Sequence, residues 1–210
     1  MQQISIQLNN IGKKYVNEWI FKNVSLTIDP SEKLVVLGSN GSGKSTLLQT
    51  IASFLIPSKG ELVWSSGAEK IEDELIYMHL SMASPYMELI EDFTLTESIE
   101  HQKKFKPFLN NFSSKEIIDI MQLQHASEKY LKNYSSGMRQ RVKLGLAVLA
   151  DCPVLLLDEP CTNLDAKSID WYQNLVKEFA LQKTIIVCSN TVKEEYSFCN
   201  TTIEIEKYKS

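Results

Sequence analysis

The chain has 210 residues, 43% hydrophobic and 23% charged, with a formal net charge of −4. That is the profile of an ordinary globular protein with room for a well-buried core, and its mild acidity argues against a nucleic-acid or anionic-membrane binder. There is no run of about 18 apolar residues to span a membrane as a helix, and the opening MQQISIQLNN shows neither a basic stretch nor a long apolar one of signal-peptide type.

Ile4, Ile6 and Leu8 alternate with polar residues and predict a half-buried strand. Val24, Leu26 and Ile28 predict another before the turn Asp29-Pro30-Ser31. Leu34 to Leu37 is a short apolar strand that runs into Gly38-Ser39-Asn40-Gly41-Ser42-Gly43-Lys44-Ser45-Thr46. This stretch fits the phosphate-loop pattern G-x-x-x-x-G-K-[ST], and Thr46 to Ala52 continues it as a helix. The glycines allow a tight turn that aims successive N–H groups at one oxyanion, and the helix adds the positive end of its dipole. In this reading Lys44 reaches the β- and γ-phosphates and the Ser45 hydroxyl ligates Mg²⁺.

Further strands are predicted at Leu62 to Trp64, Leu75 to Met78, Val154 to Leu157 and Thr184 to Cys188, and Ile203 with Ile205 suggests a last edge strand. From Thr94 to Lys132 the chain is polar, with no strand signal. Thr94-x-x-Glu97 reads as a capping box opening a helix through Ile99. Ser114-Lys115-Glu116 followed by Ile117, Ile118 and Met121 reads as a second, with Pro107 between them. Cys152, Cys161, Cys188 and Cys199 have no C-x-x-C spacing and read as small buried hydrophobes in a reducing compartment.

Val154 to Pro160 reads VLLLDEP, an apolar strand ending in two acids. Opposite a phosphate loop, Asp158 is placed to hold Mg²⁺ directly or through water, and Glu159 to polarise a nucleophilic water. Tyr134 to Arg141 reads YSSGMRQR and leads into a helix for which Ser135 is the N-cap. Gly137 permits close backbone approach, and the exposed N–H groups form a second anion site. The acidic strand begins 13 residues after Arg141.

Phosphate loop, capped segment and Asp-Glu strand in this order resemble the ATP-binding cassette of ABC proteins over essentially the whole chain. Gly38–Thr46 is similar to Walker A, Val154–Glu159 to Walker B, Tyr134–Met138 to the signature segment and Thr162–Asp165 to the D-loop, and Tyr15 sits where the family stacks an aromatic ring on adenine. The resemblance implies an α/β fold: a RecA-like P-loop NTPase core, at about 1–84 and 140–210, with an antiparallel edge sheet and an inserted helical subdomain at about 85–139, all in one domain. It implies ATP and Mg²⁺ as cofactors. It also implies a second cassette in a head-to-tail homo- or heterodimer, in which Ser135 and Gly137 contact the γ-phosphate bound by the other subunit. Separate transmembrane permease subunits are implied, with this chain peripheral at the cytoplasmic face of the membrane. Compact cassettes such as the haem-exporter ATPase are of similar size.

Four positions depart from the family pattern. The Q-loop glutamine falls at Pro85, within Met82-Ala83-Ser84-Pro85-Tyr86, so its contact passes to water, Ser84 or another group. The H-loop histidine falls at Asn190, whose amide can donate to a phosphate oxygen but cannot carry positive charge or shuttle a proton. Ser136 and Met138 replace the signature's first glycine and its glutamine. The expected function is a cytosolic Mg-ATPase that powers a permease by ATP-driven closure, with Glu159, Lys44 and Asn190 as catalytic residues and a low rate. A soluble ABC ATPase outside transport and a degenerate cassette acting through ATP binding are the alternatives. Ser84 to Phe93 reads either as a permease contact, through Tyr86, Met87, Leu89 and Ile90, or as packing under the helical subdomain.

Overall fold

The computed structural model describes residues 2–209. Four strands, β1 (Ile4–Tyr15), β2 (Glu18–Ile28), β4 (Lys59–Ser66) and β5 (Glu69–Ile71), form an antiparallel sheet in the order β2-β1-β4-β5. Five more, β3 (Lys33–Leu37), β6 (Leu80–Ala83), β7 (Val154–Asp158), β8 (Thr184–Ser189) and β9 (Thr201–Glu204), form a parallel sheet in the order β6-β7-β8-β3-β9. Helices α1 (Lys44–Ile51), α2 (Ile76–His79), α3 (Leu95–Lys103), α4 (Ser114–Met121), α5 (Ser136–Leu149), α6 (Ala166–Phe179) and α7 (Lys193–Tyr196) complete the α/β fold.

Side-chain alternation decides what each sheet face packs against. Leu34, Val36, Leu156 and Ile186 point to one side. There they share a core with Leu47, Leu48 and Ile51 of α1 and with the inner face of the antiparallel sheet, where Ile4, Ile6, Leu8 and Trp64 are buried. Val35, Leu155, Leu157, Ile185 and Val187 point to the other side. They share a core with Leu95 and Ile99 of α3, Ile117 and Met121 of α4, and the buried faces of α5 and α6. Every residue of β7 and β8 is buried, as expected for parallel strands covered on both faces.

The parallel register aligns the strand ends. Leu37 pairs with Ser189 and Asp158 with Cys188, so the segments following β3, β7 and β8 emerge together at the carboxyl edge of the sheet. In open parallel sheets that edge is where ligands bind.

The expected strand at Leu75 to Met78 is helical. Asp73–Leu75 forms a 3₁₀ turn that leads into α2, and the strand is Leu80–Ala83. Of the apolar run only Ile76 is buried, while Leu75, Tyr77 and Met78 are exposed. A four-residue apolar run has no period long enough to tell strand from helix. The last strand ends at Glu204, and Ile205 begins a 3₁₀ turn.

Both capping boxes are present, at Thr94 with Glu97 and at Ser113 with Glu116; the second cap lies one residue before the expected Ser114. Helix α6 is an element the motifs do not anticipate. Asp165 caps it by accepting from the Ser168 N–H at 2.8 Å. Cys152, Cys161 and Cys188 are free and buried as expected, whereas Cys199 is free and only partly buried.

Lys183 is fully buried and donates to the carbonyls of Val148 and Ala150, at 2.7 and 2.5 Å, at the end of α5. Burial pulls its pKa down to about 8, below its value in an unfolded chain. Between those two values the unfolded state binds more protons, so this group's contribution to stability rises with pH from about 8 to about 10.5. In chemical denaturation, wild type is expected to gain about 3 kcal/mol relative to Lys183→Met across that window. A difference independent of pH would show that Lys183 is not desolvated.

Candidate functional site

Gly38 to Thr46 leaves β3 and closes into α1, with Gly43 as the helix N-cap at φ 103°. Asn40 to Thr46 line a cavity of about 510 Å³, together with Ile20, Gln49, Tyr86 and Glu159. Gly38 and Ser39 lie outside that lining. A carboxylate oxygen of Glu206, in the turn after β9, accepts from the Ser39 N–H and hydroxyl at 2.6 and 2.9 Å, which ties the start of the loop to the end of the chain's last sheet strand.

Lys44 is buried, and its ammonium curls back on its own loop. It donates to the carbonyls of Gly38 and Ser39 at 2.9 and 3.0 Å and to Oδ1 of Asn190, and it lies 3.9 Å from Glu159. The amide nitrogen of Asn190 donates to Glu159 Oε1 at 2.9 Å and to Oδ1 of Asn40. Asn190 thus bridges Lys44, Asn40 and Glu159. Glu159 itself sits at φ 46°, with its N–H donating to the Cys188 carbonyl at 2.9 Å. Its side chain is 30% exposed, open enough for water to reach it.

Asp158 is buried, and Ser84 donates to its Oδ2 at 3.3 Å. Burial pushes its carboxyl pKa up, and the neighbouring Ser45 and Ser84 hydroxyls partly offset this. Its Oδ1 and the Ser42 hydroxyl are buried without a hydrogen-bond partner among the described residues. A buried unpaired carboxylate oxygen is costly unless a cation or donor meets it. Asp158 with Ser45 therefore fits a hard oxygen-seeking cation such as Mg²⁺. The Q-loop position, Pro85, offers no ligand; Ser84 is the residue of that segment that reaches the acid.

Ser135 caps α5, accepting from the Met138 N–H at 3.2 Å. Gly137 packs so closely on the Thr162–Asp165 segment that a Cβ there would sit 3.0 Å from the Asn163 carbonyl. Both line a separate cavity of about 390 Å³ with Arg141, Asn163 and Asp165. Within one chain the structure does not bring Ser135 or Gly137 to the phosphate loop. Nor does Tyr15 line the loop's cavity. It ends β1 half-exposed, with the Lys13 ammonium 5.4 Å from its ring centre. Three cavity residues carry no motif that would assign them this role, Ile20, Gln49 and Tyr86. They sit on β2, on α1 and in a loop, at positions whose spacing carries no phosphate signal.

A parallel sheet carrying a phosphate loop on one strand and an Asp-Glu pair on another, flanked by an antiparallel sheet and helices, defines a P-loop nucleoside-triphosphatase fold. The family model described as ABC transporter matches residues 21–162, and the chain belongs to that family. The ABC transporter ATP-binding protein YcbN of Bacillus subtilis is 26% identical over 93% of this chain and 64% of its own length. The maltose/maltodextrin import ATP-binding protein MalK of Photobacterium profundum is 34% identical over 77% of this chain and 44% of its own. The chain thus spans less than two thirds of either relative. Among solved structures, a putative ABC transporter ATP-binding protein from Pyrococcus furiosus shares the fold with a TM-score of 0.80 at 20% identity, covering 98% of this chain and 100% of that one. A dimeric bacterial ABC transporter cassette does so with 0.78 at 23% identity, covering 96% and 95%.

Proposed function

We propose that the chain binds and hydrolyses Mg-ATP and drives a separate membrane permease. The observation that carries this is the meeting of Lys44 and Glu159 on the phosphate-loop cavity, with Asn190 hydrogen-bonded to both and Asp158 preceding Glu159 at the carboxyl end of β7. Loop N–H groups and the α1 dipole receive the phosphates, and Lys44 exchanges the Gly38 and Ser39 carbonyls for phosphate oxygens. Mg²⁺, held by Ser45 and Asp158, would neutralise charge developing on those oxygens. Glu159 takes a proton from a water that attacks the γ-phosphorus as the bond to ADP breaks. Asn190, already hydrogen-bonded to both Glu159 and Lys44, supplies a neutral donor to the γ-phosphate. Tyr15 serves the adenine only if the hairpin that carries it moves toward the nucleotide.

Residues 85–139 act as a helical subdomain within this one domain. The signature cavity and the phosphate cavity are distinct in a single chain, which suits head-to-tail pairing with a second cassette, each supplying Ser135 and Gly137 to the other's ATP. Met87, Leu89, Ile90, Phe93 and Phe105 line a largely apolar groove of about 320 Å³, with Met87, Ile90 and Phe105 exposed. That is the surface we assign to a permease, which would hold the chain at the cytoplasmic face of the membrane. None of the described helices is long and apolar enough to cross a membrane.

The test is Mg-ATP hydrolysis by the purified chain, with association state followed in the same samples. Turnover with an ATP-dependent dimer supports the motor. ATP-dependent association without turnover replaces it with a sensor that acts by binding alone, and no ATP binding sinks the proposal. Within this reading Asn190→His is expected to raise kcat about tenfold by adding a group that titrates near neutrality. An unchanged kcat would remove Asn190 from the chemistry.

A further inference from the structure

We infer that Glu195 is a positioning residue: its buried carboxylate clamps the segment after Glu159 to the end of the strand that carries Asn190. Glu195 lies on α7, is 3% exposed, and has no cation paired with it among the described residues. Its Oε1 accepts the Cys161 N–H at 3.1 Å, and its Oε2 accepts the Ser189 hydroxyl at 2.5 Å. Cys161 lies two residues after Glu159, in a turn where the Thr162 N–H donates to the Glu159 carbonyl at 3.1 Å. Ser189 immediately precedes Asn190. One carboxylate therefore satisfies a donor from each of the two segments whose side chains meet at 2.9 Å beside the phosphate loop.

The clamp is itself anchored. The buried Tyr172 hydroxyl of α6 donates to the Glu195 carbonyl at 2.8 Å, fixing α7 from behind. Burial pushes the Glu195 carboxyl pKa up, and the Ser189 and Cys161 donors pull it back down. An unpaired carboxylate in such a place costs free energy that an apolar residue would not, so its contribution lies in the two contacts it makes. A cavity of about 180 Å³, lined by Glu159, Thr162, Asn190, Val192 and Glu195 among others, adjoins it. Without the clamp the loop has room to drift. A misplacement of about 1 Å at a reacting centre can cost about a hundredfold in rate.

This inference rests on the ATPase reading, and the experiment separates the two. Steady-state ATP hydrolysis and hydrogen exchange at the Cys161 amide without nucleotide are measured for wild type, Glu195→Ala, Glu195→Gln and Ser189→Ala. In Glu195→Ala, kcat should fall about tenfold or more, while KM for ATP stays within about twofold because the phosphate loop makes neither contact. Glu195→Gln should recover most of kcat, since its carbonyl oxygen can accept from Cys161 and its NH₂ can donate to the Ser189 oxygen. The Cys161 amide should exchange faster in the alanine variant and not in the glutamine one. Unchanged kcat in Glu195→Ala overturns the role. So do parallel shifts of kcat and KM with glutamine no better than alanine, which would mark plain packing. Should Glu195→Ala not fold, Ser189→Ala cuts the other half of the clamp with one atom and must lower kcat at constant KM. A wild type without turnover refutes the ATPase instead, and Cys161 exchange then decides the clamp alone, with no faster exchange in Glu195→Ala overturning it.

Discussion

Glu159→Gln is expected to lower ATP turnover at least a hundredfold while ATP affinity stays within a few-fold of wild type, an effect in the range of a lost general base. The carboxamide keeps the size of the carboxylate and its oxygen can still accept from Asn190, so the 2.9 Å contact survives. The same φ of 46° suits either residue, and the N–H to Cys188 is untouched. What disappears is the capacity to take a proton from water. The negative charge 3.9 Å from Lys44 also goes, which frees that ammonium for phosphate and holds or improves binding. Equilibrium ATP binding and single-turnover hydrolysis, measured side by side, separate the two effects. If the variant kept more than about a tenth of the wild-type rate, Glu159 would not be the base, and bulk water or a phosphate oxygen would have to take the proton. If it bound ATP and accumulated as a dimer without turning over, the paired-cassette reading would gain its most direct support.

The features legible in the sequence are the ones encoded within a few residues. The phosphate loop, the apolar strand ending in Asp158-Glu159, and the caps at Thr94 and Ser135 each fix a backbone conformation locally, and the structure has them all. Leu75 to Met78 misleads because helix or strand is settled there by what lies beneath. The neighbouring β6, at Leu80–Ala83, is the piece that pairs with β7, and the preceding residues turn away with only Ile76 inside. The contacts that complete the site lie far apart along the chain: Ser84 to Asp158 across 74 residues, Cys161 to Glu195 across 34, Ser39 to Glu206 across 167. No period or motif announces a pair of that kind. The missing glutamine at Pro85 is visible in the sequence, yet the Ser84 contact that stands beside Asp158 is visible only once β6 and β7 are adjacent.

Gly43→Ala should reduce ATP affinity at least tenfold and lower the melting temperature by several degrees. Two separate costs act there. At φ 103° an L side chain is strained wherever it points, and the added Cβ would lie 2.5 Å from Ile20 Cγ2 on β2. The strain is about 1–2 kcal/mol, comparable with the 1.4 kcal/mol that a tenfold affinity change represents. Gly67→Ala is the control. Its φ of 58° is also positive, but nothing lies within 4 Å of its Cβ and it sits between β4 and β5, away from the loop. That variant should lose about 1 kcal/mol of stability and bind ATP as wild type does. The double variant Ile20→Ala/Gly43→Ala tells strain from collision, because it removes the collision and leaves the dihedral in place. Since the dihedral orients the N–H groups that meet the phosphates, affinity should stay low in the double variant even where stability partly returns. Recovery of wild-type affinity would assign the whole effect to Ile20, and wild-type affinity in Gly43→Ala itself would mean that this loop does not hold the phosphates.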